Sequence, residues 1–191
     1  MHYQKAREYV LKRLENELPK NLYYHGIHHT LDVCQAVEEL ASGEHVKEKD
    51  LVLLRTAAVY HDIGFIVQYH NNEEVACQIA SETLPGFNYL TNDIKIICHI
   101  ILATRVPQNP QTHLEQIMCD ADLDYLGRSD FFDITQTLKQ EWMEFGIISS
   151  DEEWNQKQVY FFQQHHYFTK TAQEKREARK HKHLLELQKL L

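Results

Sequence analysis

The sequence lacks the cysteine pattern of a protein held together by disulfides or structural zinc. Its four cysteines are widely spaced in apolar segments, and none forms a CxxC pair: Cys34, Cys77, Cys98 and Cys119. This usage is typical of reduced cysteines in a core. A chain of 191 residues can bury enough apolar surface to fold without crosslinks. We therefore predict a single domain over residues 1–191.

The sequence also lacks a long apolar run and an excess of positive charge. No run approaches the roughly 20 residues of a membrane-spanning helix, and segment 1–20 is charged throughout, unlike a signal peptide. The net charge is −8, whereas nucleic-acid backbones favour basic surfaces. These absences predict a cytoplasmic protein with no membrane or nucleic-acid partner. They leave open a homodimer and a small anionic substrate held by a metal.

No segment alternates polar and apolar residues between hairpin signals, so strands are not predicted. Apolar spacing and stop signals indicate an all-α fold with helices near 2–18, 28–42, 47–61, 71–84, 92–104, 113–126, 130–145, 151–167 and 170–190. Three pairs have the spacing of a capping box: Asn71 with Glu74, Thr112 with Glu115, and Ser150 with Glu153.

Histidine is abundant, with 13 copies, and two of them continue apolar stripes. His29 begins a stripe with Val33 and Val37 in one predicted helix. His61 ends the apolar stripe of the next helix, in the segment AAVYHDIGF. Asp62 follows where that helix stops, so its carboxylate can turn toward the same point as the His61 ring.

A third polar group lies in MCDADLDYLG, where Asp120, Asp122 and Asp124 alternate with Ala and Leu. Helical phase alone does not decide which aspartate faces inward. Taken singly, each histidine or aspartate is most simply a core, helix-end or surface residue. Together, two inward histidines and two acids offer N and O ligands that suit Mn, Fe, Mg or Zn better than a closed structural zinc site.

The order H…HD…D, carried by His29, His61-Asp62 and Asp122, resembles the HD-domain metal-dependent phosphohydrolase superfamily. The segments YHGIHHTLDV, AAVYHDIGF, HNNEEVACQIA and CDADLDYLG are similar to its motifs over residues 23–130, with a helical extension over 130–191. The resemblance implies an HD-domain bundle of about eight to nine helices and selects Asp122 among the three aspartates. It implies that the four matched residues bind a divalent ion: Mn, Mg, Fe, Ni or Zn.

The resemblance also implies catalytic roles for Asp62 and His25. Asp62 would bridge to a second ion or orient the attacking water. His25 precedes His29 by four residues, a spacing similar to that of cyclic-nucleotide phosphodiesterases, where the first histidine protonates the leaving oxygen. The alternative for His25 is an exposed loop residue.

Other positions around the matched segments stay open. His70 could bind substrate phosphate, cap a helix or, with His99, supply ligands to a second ion. His99 and Thr104 point about 140° apart on a helix, so only one can face a pocket. Arg105 could contact a substrate anion or lie on the surface. Phe65 stands where relatives that hydrolyse cyclic di-GMP carry lysine, and no GYP string is present, so that substrate is rejected.

The sequence therefore predicts a metal-dependent phosphohydrolase that acts on a nucleotide or another small phosphorylated metabolite. One alternative is a cyclic-nucleotide phosphodiesterase. The other is a non-catalytic metal-binding domain for signalling or interaction. Retention of all four metal ligands argues against the latter, because a bundle that needs only stability can fill such sites with apolar residues.

Overall fold

A computed structural model describes all 191 residues and confirms the all-α prediction. The nine helices of ten or more residues are α1 (Tyr3–Glu17), α2 (Ile27–Gly43), α3 (Glu48–Tyr60), α4 (Asn72–Thr83), α5 (Thr91–Leu102), α6 (His113–Asp122), α7 (Phe131–Glu144), α8 (Asp151–Gln164) and α9 (Ala178–Leu187). A short helix, Lys170–Ala172, and a π-helical turn, Gln173–Glu177, lead into α9. Short 3₁₀ turns lie at Ile63–Ile66, Leu84–Phe87, Asp124–Gly127 and Gln188–Leu190.

The predicted helices are found, but two of them end earlier than expected. Helix α6 stops at Asp122 and passes through Leu123 into the 3₁₀ turn Asp124–Gly127. Helix α8 stops at Gln164 because His165 adopts an extended backbone with ψ 137°. No helix is both long enough and apolar enough to cross a membrane.

The predicted capping boxes have different outcomes. Thr112 and Glu115 form the full reciprocal box at the start of α6. Ser150 accepts a hydrogen bond from the Glu153 backbone N–H at 3.1 Å, but the Glu153 carboxylate binds Ser149 instead of closing the box. The box at Asn71 is wrong: this residue adopts a left-handed backbone with φ 54°, and its side chain makes no cap hydrogen bond.

Apolar side chains pack into two separate clusters. The larger cluster contains 29 buried residues, most of them from α1 to α6, with α3 at its centre. The smaller cluster contains eight buried residues and joins the loop before α2 and the turn after α6 to α7, α8 and α9. All four cysteines are free thiols, as predicted. His29 lies where the two clusters meet: its helix stripe belongs to the larger cluster, and its ring centroid lies 4.5 Å from that of Tyr24 in the smaller one.

Candidate metal centre and cavity

Two histidines and an aspartate from three different helices converge on one point. His29 extends from the first turn of α2, His61 directly follows α3, and Asp122 ends α6. The His29 Nε2 atom lies 3.2 Å from Asp122 Oδ1 and 3.4 Å from His61 Nε2. His61 Nε2 lies 3.4 Å from the same Asp122 oxygen. The buried stripes of α2 and α3 fix the direction of both histidines, as their spacing predicts.

Asp62 brings a fourth donor to this point. Its Oδ2 atom lies 3.1 Å from His61 Nε2 and 3.5 Å from His29 Nε2. The oxygen is buried, yet neither approach has the direction of a hydrogen bond. Asp62 can reach inward because the backbone leaves the helix here (φ −102°, ψ 4°) and enters the 3₁₀ turn.

Gly64 in that turn allows the next helix to pack closely. A Cβ atom at Gly64 would lie 1.9 Å from the backbone oxygen of Asn72, the first residue of α4. No other residue fits without moving the backbone, since real Cβ atoms do not approach an oxygen so closely. The glycine of the HD segment therefore locks the Asp62 turn against α4.

The donor chemistry of this cluster fits a divalent cation. The His61 Nδ1–H donates to the Ala58 carbonyl oxygen at 2.8 Å, so Nε2 is the ring nitrogen that faces the cluster and could bind an ion there. Burial lowers the pKa of His61, but the Asp62 and Asp122 carboxylates raise it well above its ordinary value. The pKa of Asp122 is lowered despite burial, because His29 and His61 lie beside it. Buried carboxylates and lone pairs arranged in this way attract positive charge, and the N and O donors suit a transition metal or Mg²⁺.

The three alternating aspartates have three different environments. Asp122 belongs to the cluster with His29 and His61 that could hold a metal ion, here called the metal cluster. Asp120 points the other way and accepts hydrogen bonds from the backbone N–H groups of Phe168 and Thr169, both at 2.8 Å. Asp124 binds the Arg176 guanidinium, with Nε to Oδ1 at 2.6 Å. Only Asp122 is placed to bind a metal, which agrees with the residue selected by the family resemblance.

His25 is half-buried beside the cluster and is held by a carboxylate from α7. Glu141 is completely buried and accepts hydrogen bonds from the His25 Nδ1 atom and from the His25 backbone N–H, the latter at 3.0 Å. Its other partners are the Tyr24 backbone N–H at 2.8 Å and the Tyr69 hydroxyl at 3.0 Å. Burial lowers the pKa of His25, but the hydrogen bond to Glu141 and the carboxylates of Asp62, Glu141 and Asp122 together raise it. The exposed-loop alternative for His25 is therefore wrong.

Phe65 supports the same histidine from the other side. Its ring stacks on the His25 ring with centroids 4.3 Å apart and an interplanar angle of 27°. The residue that replaces lysine in this segment thus fixes the orientation of His25. Glu141 and Phe65 together hold the ring at the edge of a cavity.

The cavity has a volume of about 550 Å³ and opens beside the metal cluster. His25, Asp62 and Asp122 line one end of it. His70 and Arg105 lie at its rim, where both are exposed, and Arg105 is already paired with Glu73 and Glu74.

The structure places His99 and Thr104, of which only one could face a pocket, in different environments. Thr104 lines the cavity, whereas His99 is exposed and does not line it. His70 lines the cavity but does not join the cluster of His29, His61 and Asp122. A second metal ion therefore remains a prediction for which His99 is not in position.

Sequence reasoning missed three residues of this region. Glu141 lies 116 residues from His25 along the chain and carries no motif, so no signal in the sequence identifies it. Gln158 also lines the cavity and likewise has no motif. Asn72 lines the cavity with a buried side-chain oxygen that makes no hydrogen bond. Its place in the matched segment HNNEEVACQIA is a signal that could have found it.

Comparison with known proteins connects this geometry to a family. The family model described as HD domain matches residues 26–124, which is just over half of the chain. An uncharacterized protein of Clostridium beijerinckii is 30% identical over 118 residues, which cover 60% of this chain and 73% of that protein. A crystal structure of a predicted HD superfamily hydrolase from an uncultured Thermotogales bacterium shares the fold. It has a TM-score of 0.65 at 20% identity and covers 99% of this chain and 91% of its own. The chain belongs to the HD-domain family.

Proposed function

We propose that this protein is a metal-dependent phosphohydrolase that hydrolyses a phosphoester of a nucleotide or another small phosphorylated metabolite. The observation that carries the proposal is the convergence of His29, His61, Asp62 and Asp122 at one end of an open cavity. A purely structural metal site would be closed by protein on all sides. A site open to a cavity of substrate size is the arrangement expected for catalysis.

The two histidines and two aspartates would hold a divalent ion, for which Mn, Mg, Fe, Ni and Zn are the candidates. When bound, such an ion lowers the pKa of water toward neutrality and withdraws charge from phosphoryl oxygens. Asp62 keeps a buried oxygen without a hydrogen bond, and we assign it the orientation of the attacking water.

His25 would donate a proton to the leaving oxygen. Its Nδ1 atom is bonded to Glu141, so Nε2 is the ring nitrogen left to exchange a proton with a ligand in the cavity. As the P–O bond breaks, its electron pair passes to the ester oxygen and the His25 proton joins it, which leaves a neutral imidazole. The raised pKa of His25 favours the protonated form that this step requires.

His70 and Arg105 would contact the substrate at the rim. The Arg105 charge is shared with Glu73 and Glu74, and the side chain is 43% exposed. We therefore expect substitution of Arg105 to weaken substrate binding only modestly, because an exposed and already paired cation adds little.

The test combines metal analysis with a panel of phosphate monoesters and cyclic nucleotides. His61→Ala and Asp122→Ala should lose bound metal and turnover while helical content is retained. His99→Ala is the matched control: it removes an exposed histidine that does not line the cavity and should change neither property. Activity confined to cyclic AMP or GMP would favour the phosphodiesterase alternative.

Absence of transition metal and Mg²⁺ from the purified protein, together with no turnover on any panel member, would contradict the proposal. Metal binding without turnover would favour the non-catalytic alternative.

A further inference from the structure

The lining of the cavity has two parts that differ in chemistry. One part carries the polar groups of His25, Asp62 and Asp122. The other part, here called the chamber, is apolar and aromatic and is built from residues beyond the family-matched segment: Leu126, Leu138, Trp142, Trp154, Phe161 and Phe162. The Trp142 and Trp154 rings meet edge to face with centroids 5.5 Å apart. Flat walls of this kind favour flat apolar groups.

One polar pair lies inside the chamber. Gln158 of α8 donates a hydrogen bond to the Thr135 hydroxyl of α7, and both side chains are buried. The Gln158 amide uses one of its two N–H groups in this hydrogen bond. Its carbonyl oxygen and its second N–H are free to bind a ligand. A buried amide in an apolar wall is suited to read the polar edge of a ring, because polar groups left unpaired there are costly.

The charges around the cavity limit the number of phosphoryl groups. Besides its histidines, the cavity is lined by two cations, Arg105 and Lys157, and both are exposed. Arg105 is paired with glutamates, and Lys157 Nζ lies 3.5 Å from Glu153. No buried cation is available to neutralise a second or third phosphate. The cavity therefore favours a ligand with one phosphoryl group over a ligand with two or three.

We infer that the substrate is a phosphate monoester with one phosphoryl group and a flat, uncharged aromatic group, whose polar edge is read by Gln158 in the chamber. This inference rests on the proposed phosphohydrolase function. The volume of about 550 Å³ accommodates both parts, since sites for ligands of this size occupy roughly 300–1,000 Å³. Sugar phosphates without an aromatic group leave the chamber empty, and triphosphates carry negative charge for which the cavity has no buried cation.

Tryptophan fluorescence can test the chamber without relying on turnover. The chain has two tryptophans, and both line the chamber. Titration with AMP should change their emission, whereas ribose 5-phosphate, which is the same phosphoryl sugar without a base, should not. If hydrolysis occurs, kcat/KM should be about a hundredfold higher for AMP than for ribose 5-phosphate, and ATP should be the poorer substrate.

Variants on α7 and α8 test whether Gln158 and the chamber bind the substrate. Gln158→Leu should weaken AMP binding about tenfold, the loss expected for one buried hydrogen bond. Gln156→Leu is the matched control, because Gln156 is exposed on the same helix and binds Glu152 instead of lining the cavity. Leu138→Phe provides a second variant that narrows the chamber and leaves the Gln158–Thr135 pair in place; it should also weaken AMP binding.

Several results would separate this inference from the proposed function. A fluorescence response to AMP without any hydrolysis would support the chamber and contradict the hydrolase. Equal binding and hydrolysis of AMP and ribose 5-phosphate would overturn the chamber and leave the hydrolase intact. Preference for ATP over AMP, or unchanged AMP binding in both the Gln158 and Leu138 variants, would also overturn the inference.

Discussion

Replacement of Glu141 by glutamine tests whether this carboxylate prepares His25 to donate a proton. Glutamine retains one oxygen that can accept from the Tyr24 and His25 backbone N–H groups, which both bind Glu141 Oε2. The other oxygen, which accepts from His25 Nδ1 and from Tyr69, becomes an NH₂ group that cannot accept. The substitution therefore removes two hydrogen bonds to a charged acceptor without removing volume.

The expected losses follow from these two contacts. Each hydrogen bond to a buried charge contributes about 1.5–3 kcal/mol, so loss of both should lower the free energy of unfolding by about 3–6 kcal/mol. Without the Glu141 carboxylate, the strongest contribution that raises the pKa of His25 is lost, so this pKa should fall. Loss of a positioned general acid slows the reaction by about a hundredfold. Metal content should not change, because the Glu141 carboxylate makes no hydrogen bond to His29, His61, Asp62 or Asp122.

The assay compares two leaving groups. 4-Nitrophenyl phosphate releases an oxyanion that needs little protonation, whereas an alkyl phosphate releases one that needs a proton. Glu141→Gln should therefore reduce kcat far more for the alkyl ester. Glu144→Gln, an exposed glutamate at the end of the same helix, is the control and should behave as wild type. An equal reduction for both esters, or none for either, would refute the assignment of His25 as the acid.

Three further predictions concern stability. Gly64→Ala should lower the free energy of unfolding by at least about 2 kcal/mol, because its Cβ would collide with the Asn72 backbone; Gly86→Ala, which has nothing within 4 Å, should be nearly neutral in the same urea titration. Burial, and secondly the Lys180 ammonium, lower the pKa of His165 from 6.5 to about 3. Between pH 6.5 and about 3, His165 is protonated in the unfolded chain but neutral in the folded chain. The free energy of unfolding should therefore fall as pH drops from 6.5 toward 3, by up to about 5 kcal/mol. His165→Phe should flatten this slope, and a slope unchanged from wild type would show that other groups cause it. A divalent ion at about a hundred times its Kd should add about 2.7 kcal/mol to stability in calorimetry; His61→Ala should abolish this gain, and a gain that persists in the variant would place the ion elsewhere.

The convergence of His29 and His61 could be predicted because both residues obey helical periodicity. His29 and His61 each continue an apolar stripe, so burial of that stripe determines where the rings point. The same rule could not choose among the aspartates, since Asp120 and Asp124 are also buried and bind their own partners. The family resemblance selected Asp122, which helical phase could not do.

The rest of the site depends on contacts between distant segments. Glu141 reaches His25 only because α7 packs beside the loop before α2, and no local pattern encodes that approach. The wrong capping box at Asn71 has a local cause: asparagine tolerates the left-handed backbone, and in that conformation its side chain makes no cap hydrogen bond. Local rules show that asparagine suits both a helix cap and a left-handed turn, but tertiary packing decides which of the two Asn71 adopts.

The division of the core into two clusters limits how substrate preference can evolve. Leu126 and Phe162 of the chamber belong to the eight-residue cluster, and Leu138 and Phe161 pack against it, whereas the stripes that hold His29 and His61 belong to the 29-residue cluster. Substitutions that reshape the chamber therefore leave the larger core intact and weaken only the smaller one. A small core tolerates few such changes before it loosens. New specificities in this lineage should thus arise together with compensating mutations in α7, α8 and α9, a pattern that ancestral reconstruction could reveal.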